Sequence, residues 1–209
     1  MSKKKTASFW LFVGIRVFSI VLIAVTMFTG HWVGMFNAGL TLFVTFIPNI
    51  LQKKWNIVYP IEIWVVVLLF VMAALIFGEI FDFYYKFGWW DDVLHTLSGF
   101  VIAMVAFIFI KQLNENVDIR VTLSPFFAAL FAVSFSMAIS VVWEIFEYSM
   151  DTWFGVNMQK SGLVDTMNDL IVATIGAVIV GVMGYLYLKN GANNLIGRMI
   201  EKQEKLNTK

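Results

Sequence analysis

The 209-residue chain contains no cysteine, which excludes a disulfide framework and thiolate chemistry. It has two histidines, His31 and His95, too few for the histidine-rich sites of membrane oxygenases. Charged residues make up 14% of it, where a soluble domain carries about a quarter. The formal net charge of +1 says nothing by itself, and no nucleic-acid partner is expected. No Gly-x-Ser-x-Gly elbow occurs, and neither Ser98 nor Ser161 has a base in an adjacent pattern. No low-complexity linker divides the chain.

Long apolar runs take the place of all these. Hydrophobic residues reach 60%, the composition of a chain embedded in a bilayer. Six runs of about 20 residues are expected as helices over 9–28, 33–51, 61–83, 92–110, 125–148 and 166–188. The first is too long for a signal-peptide core and has no small-x-small cleavage site, so it is expected to be retained. The expected fold is an all-α integral membrane protein, a six-transmembrane-helix bundle forming a single domain over 1–209. Residues 189–209 form a polar tail with amphipathic character. Lys and Arg placement orients it: Lys3, Lys4, Lys5, Lys53, Lys54, Lys111, Arg120 and the basic tail fall on one side, and Lys86 and Lys160 on the other. The positive-inside rule then puts both termini in the cytoplasm.

A short phrase occurs twice. Glu79-Ile80-Phe81-Asp82-Phe83 closes the third run and Glu144-Ile145-Phe146-Glu147-Tyr148 the fifth. Each is followed by a polar loop and an acidic start to the next run, Asp91-Asp92-Val93-Leu94-His95 and then Asp165-Thr166-Met167-Asn168-Asp169. The pattern reads as two similar helical hairpins, helices three and four and helices five and six. In the expected orientation Glu79, Asp82, Asp91, Asp92, Glu144, Glu147, Asp151, Asp165 and Asp169 all lie at the outer end.

Helical spacing aims several of these acids inward. Ala132, Ser136, Ser140, Glu144, Glu147 and Asp151 share one face of helix five; Asp165, Asp169, Ala173, Gly176, Val180 and Gly184 share one of helix six; His95, Gly99, Ala103 and Ala106 share one of helix four. Small residues mark faces along which membrane helices approach closely, so the ionisable groups continue the packing faces. Asp91 and Asp165 also suit helix N-caps. Glu79, Glu144 and Glu147 are expected in last turns, where the helix dipole opposes an anion and calls for protonation, a neighbouring cation or a metal.

The segment from Gly78-Glu79 to Phe83, with Trp89-Trp90-Asp91-Asp92-Val93-Leu94-His95-Thr96-Leu97-Ser98-Gly99 and Trp143-Glu144-Ile145-Phe146-Glu147, resembles the YjdF-like bacterial inner-membrane proteins of unassigned function. The resemblance covers roughly residues 61–184 and implies the bacterial inner membrane as location. A weaker similarity runs to VanZ-like proteins through Asp92-Val93-Leu94-His95 and the Asp165-to-Asp169 segment, although Ala173 stands where those proteins carry Asn. That similarity implies an envelope-related role.

The chemistry that such a cluster supports is divalent-metal binding. Glu79, Asp91, Asp92, His95, Glu144, Glu147, Asp165 and Asp169 are the candidate ligands. Mg²⁺, Mn²⁺ or Ca²⁺ are favoured by the oxygen donors, with Zn²⁺ or iron left open by the imidazole. A metal there could act on a lipid-linked envelope substrate at the bilayer surface, with Glu144 or Glu147 as base. Two alternatives share the same residues: a proton- or cation-coupled transporter, and a non-catalytic envelope protein with a structural cation.

Overall fold

The computed structural model describes residues 3–55, 60–115 and 123–207, so Arg120 and Lys209, two of the residues that set the expected orientation, lie outside it. All regular structure among the described residues is helical. The helices are α1 (Lys3–Phe28), α2 (Trp32–Val44), α3 (Ile47–Trp55), α4 (Ile61–Val71) continued by a π-helical stretch (Met72–Ile80), α5 (Phe83–Lys86), α6 (Trp90–Glu115), α7 (Pro125–Phe154), α8 (Leu163–Asn190) and α9 (Leu195–Asn207). Among the described residues, five stretches are long and apolar enough to cross a membrane: Phe9–Phe28, Ile61–Ile80, Trp90–Lys111, Pro125–Phe154 and Leu163–Asn190. The chain divides into two compact units, Met1–Trp90 with Lys205–Lys209, and Asp91–Glu204.

In the first unit the expected second span, 33–51, is broken. Helix α2 has 13 residues, which at about 1.5 Å each cover roughly 20 Å of a hydrocarbon core of about 30 Å. Pro48 has no N–H to give to the carbonyl of Val44, so the ladder cannot run on. Arg16 of α1 meets the exposed end: Nε donates to Thr45 Oγ1 at 3.0 Å and Nη2 to the Thr45 carbonyl at 2.9 Å. Its guanidinium lies 4.3 Å from the centre of the Phe46 ring. A cation at a helix C-terminus also suits the dipole.

The expected third span, 61–83, ends three residues early. It widens at Met72, its last turn closes with Phe81 N–H on the Ile76 carbonyl, and Asp82 turns the chain at φ 60° into α5. The Tyr84 ring packs against Gly78, where a Cβ would lie 2.3 Å from it and push the ring aside. The Trp90 indole donates to the Ala73 carbonyl at 3.3 Å, giving that group of the widened stretch a partner. The expected first hairpin, 61–110, is divided between the units.

The second unit is built inside-out, as a membrane bundle should be. Along α7 the buried residues are Ala128, Ala132, Ser136, Ser140, Glu144 and Glu147, while Phe126, Val142, Ile145 and Tyr148 are exposed. Helices α7 and α8 pack along their length. Helix α6 meets α8 backbone to backbone: a Cβ on Gly99 would lie 2.0 Å from the Ala173 carbonyl oxygen, and one on Gly176 would lie 2.1 Å from that of Thr96. The Ser136 hydroxyl ties α7 to the same crossing by donating to the Gly99 carbonyl at 2.8 Å. Helix α9 buries Ile196 and Ile200, and Lys111 pairs with Glu204 at 3.3 Å.

Candidate metal centre

The crossing of α6 and α8 sets the site. His95 lies one turn before Gly99, and Asp169 one turn before Ala173, so the contact that forbids a side chain at Gly99 brings imidazole and carboxylate together. His95 Nε2 is 3.5 Å from Asp91 Oδ1, one turn earlier on α6, and 3.9 Å from Asp169 Oδ2. On the other side of the ring, Nδ1 is 3.9 Å from Glu144 Oε1, contributed by α7. One ligand atom from each of Asp91, His95 and Asp169 lies within 4.8 Å of the other two. Donors on a metal shell of about 2.0–2.2 Å radius stand about 3–3.5 Å apart, so small side-chain rotations would close this set onto an ion.

These groups are withdrawn from water. Glu144 is 4% exposed and Asp169 2% exposed. Neither oxygen of Glu144 nor Oδ2 of Asp169 meets a donor in hydrogen-bond geometry among the described residues, although the side chains of Thr166 and Gln159 stand close enough to Glu144 to interact with it. Glu147 is buried too, but its Oε1 accepts from the Trp143 indole at 2.8 Å. It stands one turn beyond Glu144, within electrostatic range of His95. Asp165, at the start of α8, is within range of Asp91 and Lys160. Lys160 supplies the counter-charge, its Nζ 2.6 Å from Asp91 Oδ2.

The other residues singled out in the sequence are placed as follows. Asp92 accepts a hydrogen bond from the Asn168 amide and so links α6 to α8 beside the site. Asp151 accepts the backbone N–H of Gln159 at 2.7 Å and that of Met158, bracing the loop between α7 and α8. In the first unit, Glu79 is exposed on the π-helical stretch, Asp82 turns the chain, and His31 Nδ1 accepts the Gly34 N–H as the N-cap of α2. Helix α7 runs on to Phe154 and is closed by Gly155 at φ 65°. Glu144 and Glu147 therefore lie turns inside the helix, and the dipole argument made for them from an end at Tyr148 does not hold. Burial takes its place for both, and Glu144 lacks even the indole donor that Glu147 has. Sequence reasoning missed the Trp143–Glu147 contact, although its i, i+4 spacing was visible, and the Asn168–Asp92 link, which had no local signal.

A chain of apolar helices that turns its ionisable groups inward is a polytopic membrane protein. It belongs to the family described as Predicted membrane protein (DUF2238), matched over residues 8–190. The YjdF-like resemblance fits that family, whereas the VanZ-like similarity is not shown by these matches. A protein of Thermotoga maritima, described as an uncharacterized protein, is 27% identical over 168 residues, which cover 77% of each chain. No solved structure matches.

Proposed function

We propose that this protein binds a divalent cation at the membrane surface, through Asp91, His95 and Asp169. The observation that carries the reading is the pair of buried acids: Glu144 and Asp169 face one imidazole with three carboxylate oxygens lacking hydrogen bonds. An ionised carboxylate withdrawn from water and left without a donor costs on the order of several kcal/mol, and a cation among these groups would offset that. Two carboxylates and one imidazole suit Mn²⁺ and Mg²⁺, with Zn²⁺ or iron less favoured.

The orientation that follows from Lys and Arg placement puts the site at the outer face of a bacterial inner membrane, with both termini cytoplasmic and the broken α2–α3 segment completing a sixth span. Reporter fusions after Lys160 are then external, and fusions after Asn190 internal. A cation held there would polarise the phosphoryl or ester oxygen of a lipid-linked envelope substrate. Glu144 is the base we assign, because neither of its oxygens is held in a formed hydrogen bond among the described residues, whereas Glu147 already accepts from Trp143.

The test is metal analysis of protein purified in detergent without chelator, followed by Mn²⁺ titration. One ion per chain is expected, lost in His95→Ala and Asp169→Asn. Chelation should lower the thermal midpoint and Mn²⁺ restore it. Wild-type protein that takes up no divalent ion, with a midpoint indifferent to chelator, would remove the reading.

A further inference from the structure

Asp91 has two faces. Its Oδ1 turns to His95 and its Oδ2 to the Lys160 ammonium at 2.6 Å. We propose that Lys160 is a tethered placeholder cation, whose ammonium and a divalent ion alternate at Asp91. This rests on the cation-binding reading above and adds how the site is regulated.

Three observations support it. The first is the build of the loop. Lys160 does not hold residues 155–162 in place by itself: Asp151 accepts the N–H groups of Met158 and Gln159, and the Gln159 amide donates to Thr166 Oγ1 at 2.7 Å. Left-handed turns at Gly155, Asn157 and Gly162 shape the rest. The lysine side chain can thus leave Asp91 while its backbone stays anchored.

The second is charge. Asp91, Glu144, Glu147, Asp165 and Asp169 gather around one imidazole, and Lys160 is the lysine ion-paired within that group. An ammonium at this position offsets part of the mutual repulsion among the carboxylates. A divalent ion on the opposite oxygen of the same carboxylate would stand only a few ångströms from it, and like charges so close in a partly dry site repel strongly. Full occupancy of both positions is therefore disfavoured.

The third is access. The Lys160 side chain is 28% exposed, so a swing into solvent restores the hydration of its head group. Asp169 and Glu144 have no such route, being on buried helix faces. The mobile partner of the exchange is the lysine.

The experiment follows Lys160 directly. Wild-type protein in detergent is treated with an amine-acylating reagent, with and without saturating Mn²⁺, and modification is read by mass spectrometry at Lys160 and at Lys189 as internal control. Mn²⁺ should speed acylation of Lys160 and leave Lys189 unchanged. In parallel, Lys160→Met should bind Mn²⁺ about tenfold more tightly, equivalent to about 1.4 kcal/mol. Unchanged acylation of Lys160 when Mn²⁺ is bound overturns the placeholder and leaves the cation site standing. Weaker Mn²⁺ binding by Lys160→Met would make the lysine a support of the site and overturns it as well. Absence of Mn²⁺ binding in the wild type overturns both.

Discussion

Replacing Gly99 by Ala should disable the site without touching any of its ionisable groups. The added Cβ would stand 2.0 Å from the Ala173 carbonyl oxygen, where ordinary contact begins at 3.4 Å, and the obstacle is backbone. No rotamer change relieves it, so α6 and α8 must part by more than an ångström. His95 and Asp169 sit one turn away, about 6 Å along the axes, and would separate by a similar amount. Their 3.9 Å approach would then lie well beyond the spacing of about 3–3.5 Å that a metal shell needs. Overpacking of this kind costs about 1–3 kcal/mol, a fall on the order of 5 °C in the thermal midpoint for a chain of this size. Gly176→Ala should do the same from the other helix, against the Thr96 carbonyl at 2.1 Å. Gly14→Ala and Gly39→Ala, whose added methyl meets nothing within 4 Å, are the controls and should be silent. The assay pairs thermal unfolding in detergent with Mn²⁺ affinity, expected to drop at least tenfold in both variants, the lower end of what supporting contacts to a metal site are worth. If both variants keep the wild-type midpoint and affinity, the two helices do not touch there and the argument fails.

Three further outcomes follow from particular contacts. Ser136→Ala removes a buried hydrogen bond to the Gly99 carbonyl and should cost about 0.6 kcal/mol, read as a small drop in thermal midpoint. Asp151→Ala deprives the N–H groups of Met158 and Gln159 of their acceptor, so limited proteolysis should cut within 155–162 faster than in wild type, with the rest of the chain unaffected. Arg16→Met leaves the end of α2 without its two donors and should destabilise by about 1–3 kcal/mol; Arg16→Lys should not rescue it, because one ammonium cannot reproduce the paired geometry.

The second half of the chain was more legible than the first. The inward faces of α6, α7 and α8 could be read from spacing because small residues and acids repeat at three and four, and the buried residues of α7 and α8 are among those named except Ala128, Ala177 and Gly181. His95 and Asp169 come together because they continue faces that Gly99, Ala173 and Gly176 allow to close. The break in α2 was hidden, since its cause joins Pro48 to an arginine 29 residues before Thr45. The π-helical stretch was hidden as well: Met72–Ile80 carries no proline, and only the Tyr84 ring beside Gly78 and the Trp90 indole on Ala73 show what the widening accommodates. Helix ends failed for a similar reason. Nothing local in Tyr148-Ser149-Met150 distinguishes continuation from termination, and Gly155 was the stop signal that the acid pattern drew attention away from.

The crossing of α6 and α8 also limits how the second unit can move. Backbone resting on backbone at Gly99 and Ala173 can neither compress nor slide past itself, but it can act as a fulcrum. Toward the site the arm is short, four residues from Ala173 to Asp169, about 6 Å. Toward the other end it is longer, eleven residues to Gly184, about 16 Å. The contact at that end is with the ring of Phe107, which can turn, so it leaves slack where the fulcrum leaves none. Drawing His95 and Asp169 together by about half an ångström would spread the far ends of the two helices by more than an ångström, in the ratio of the two arms.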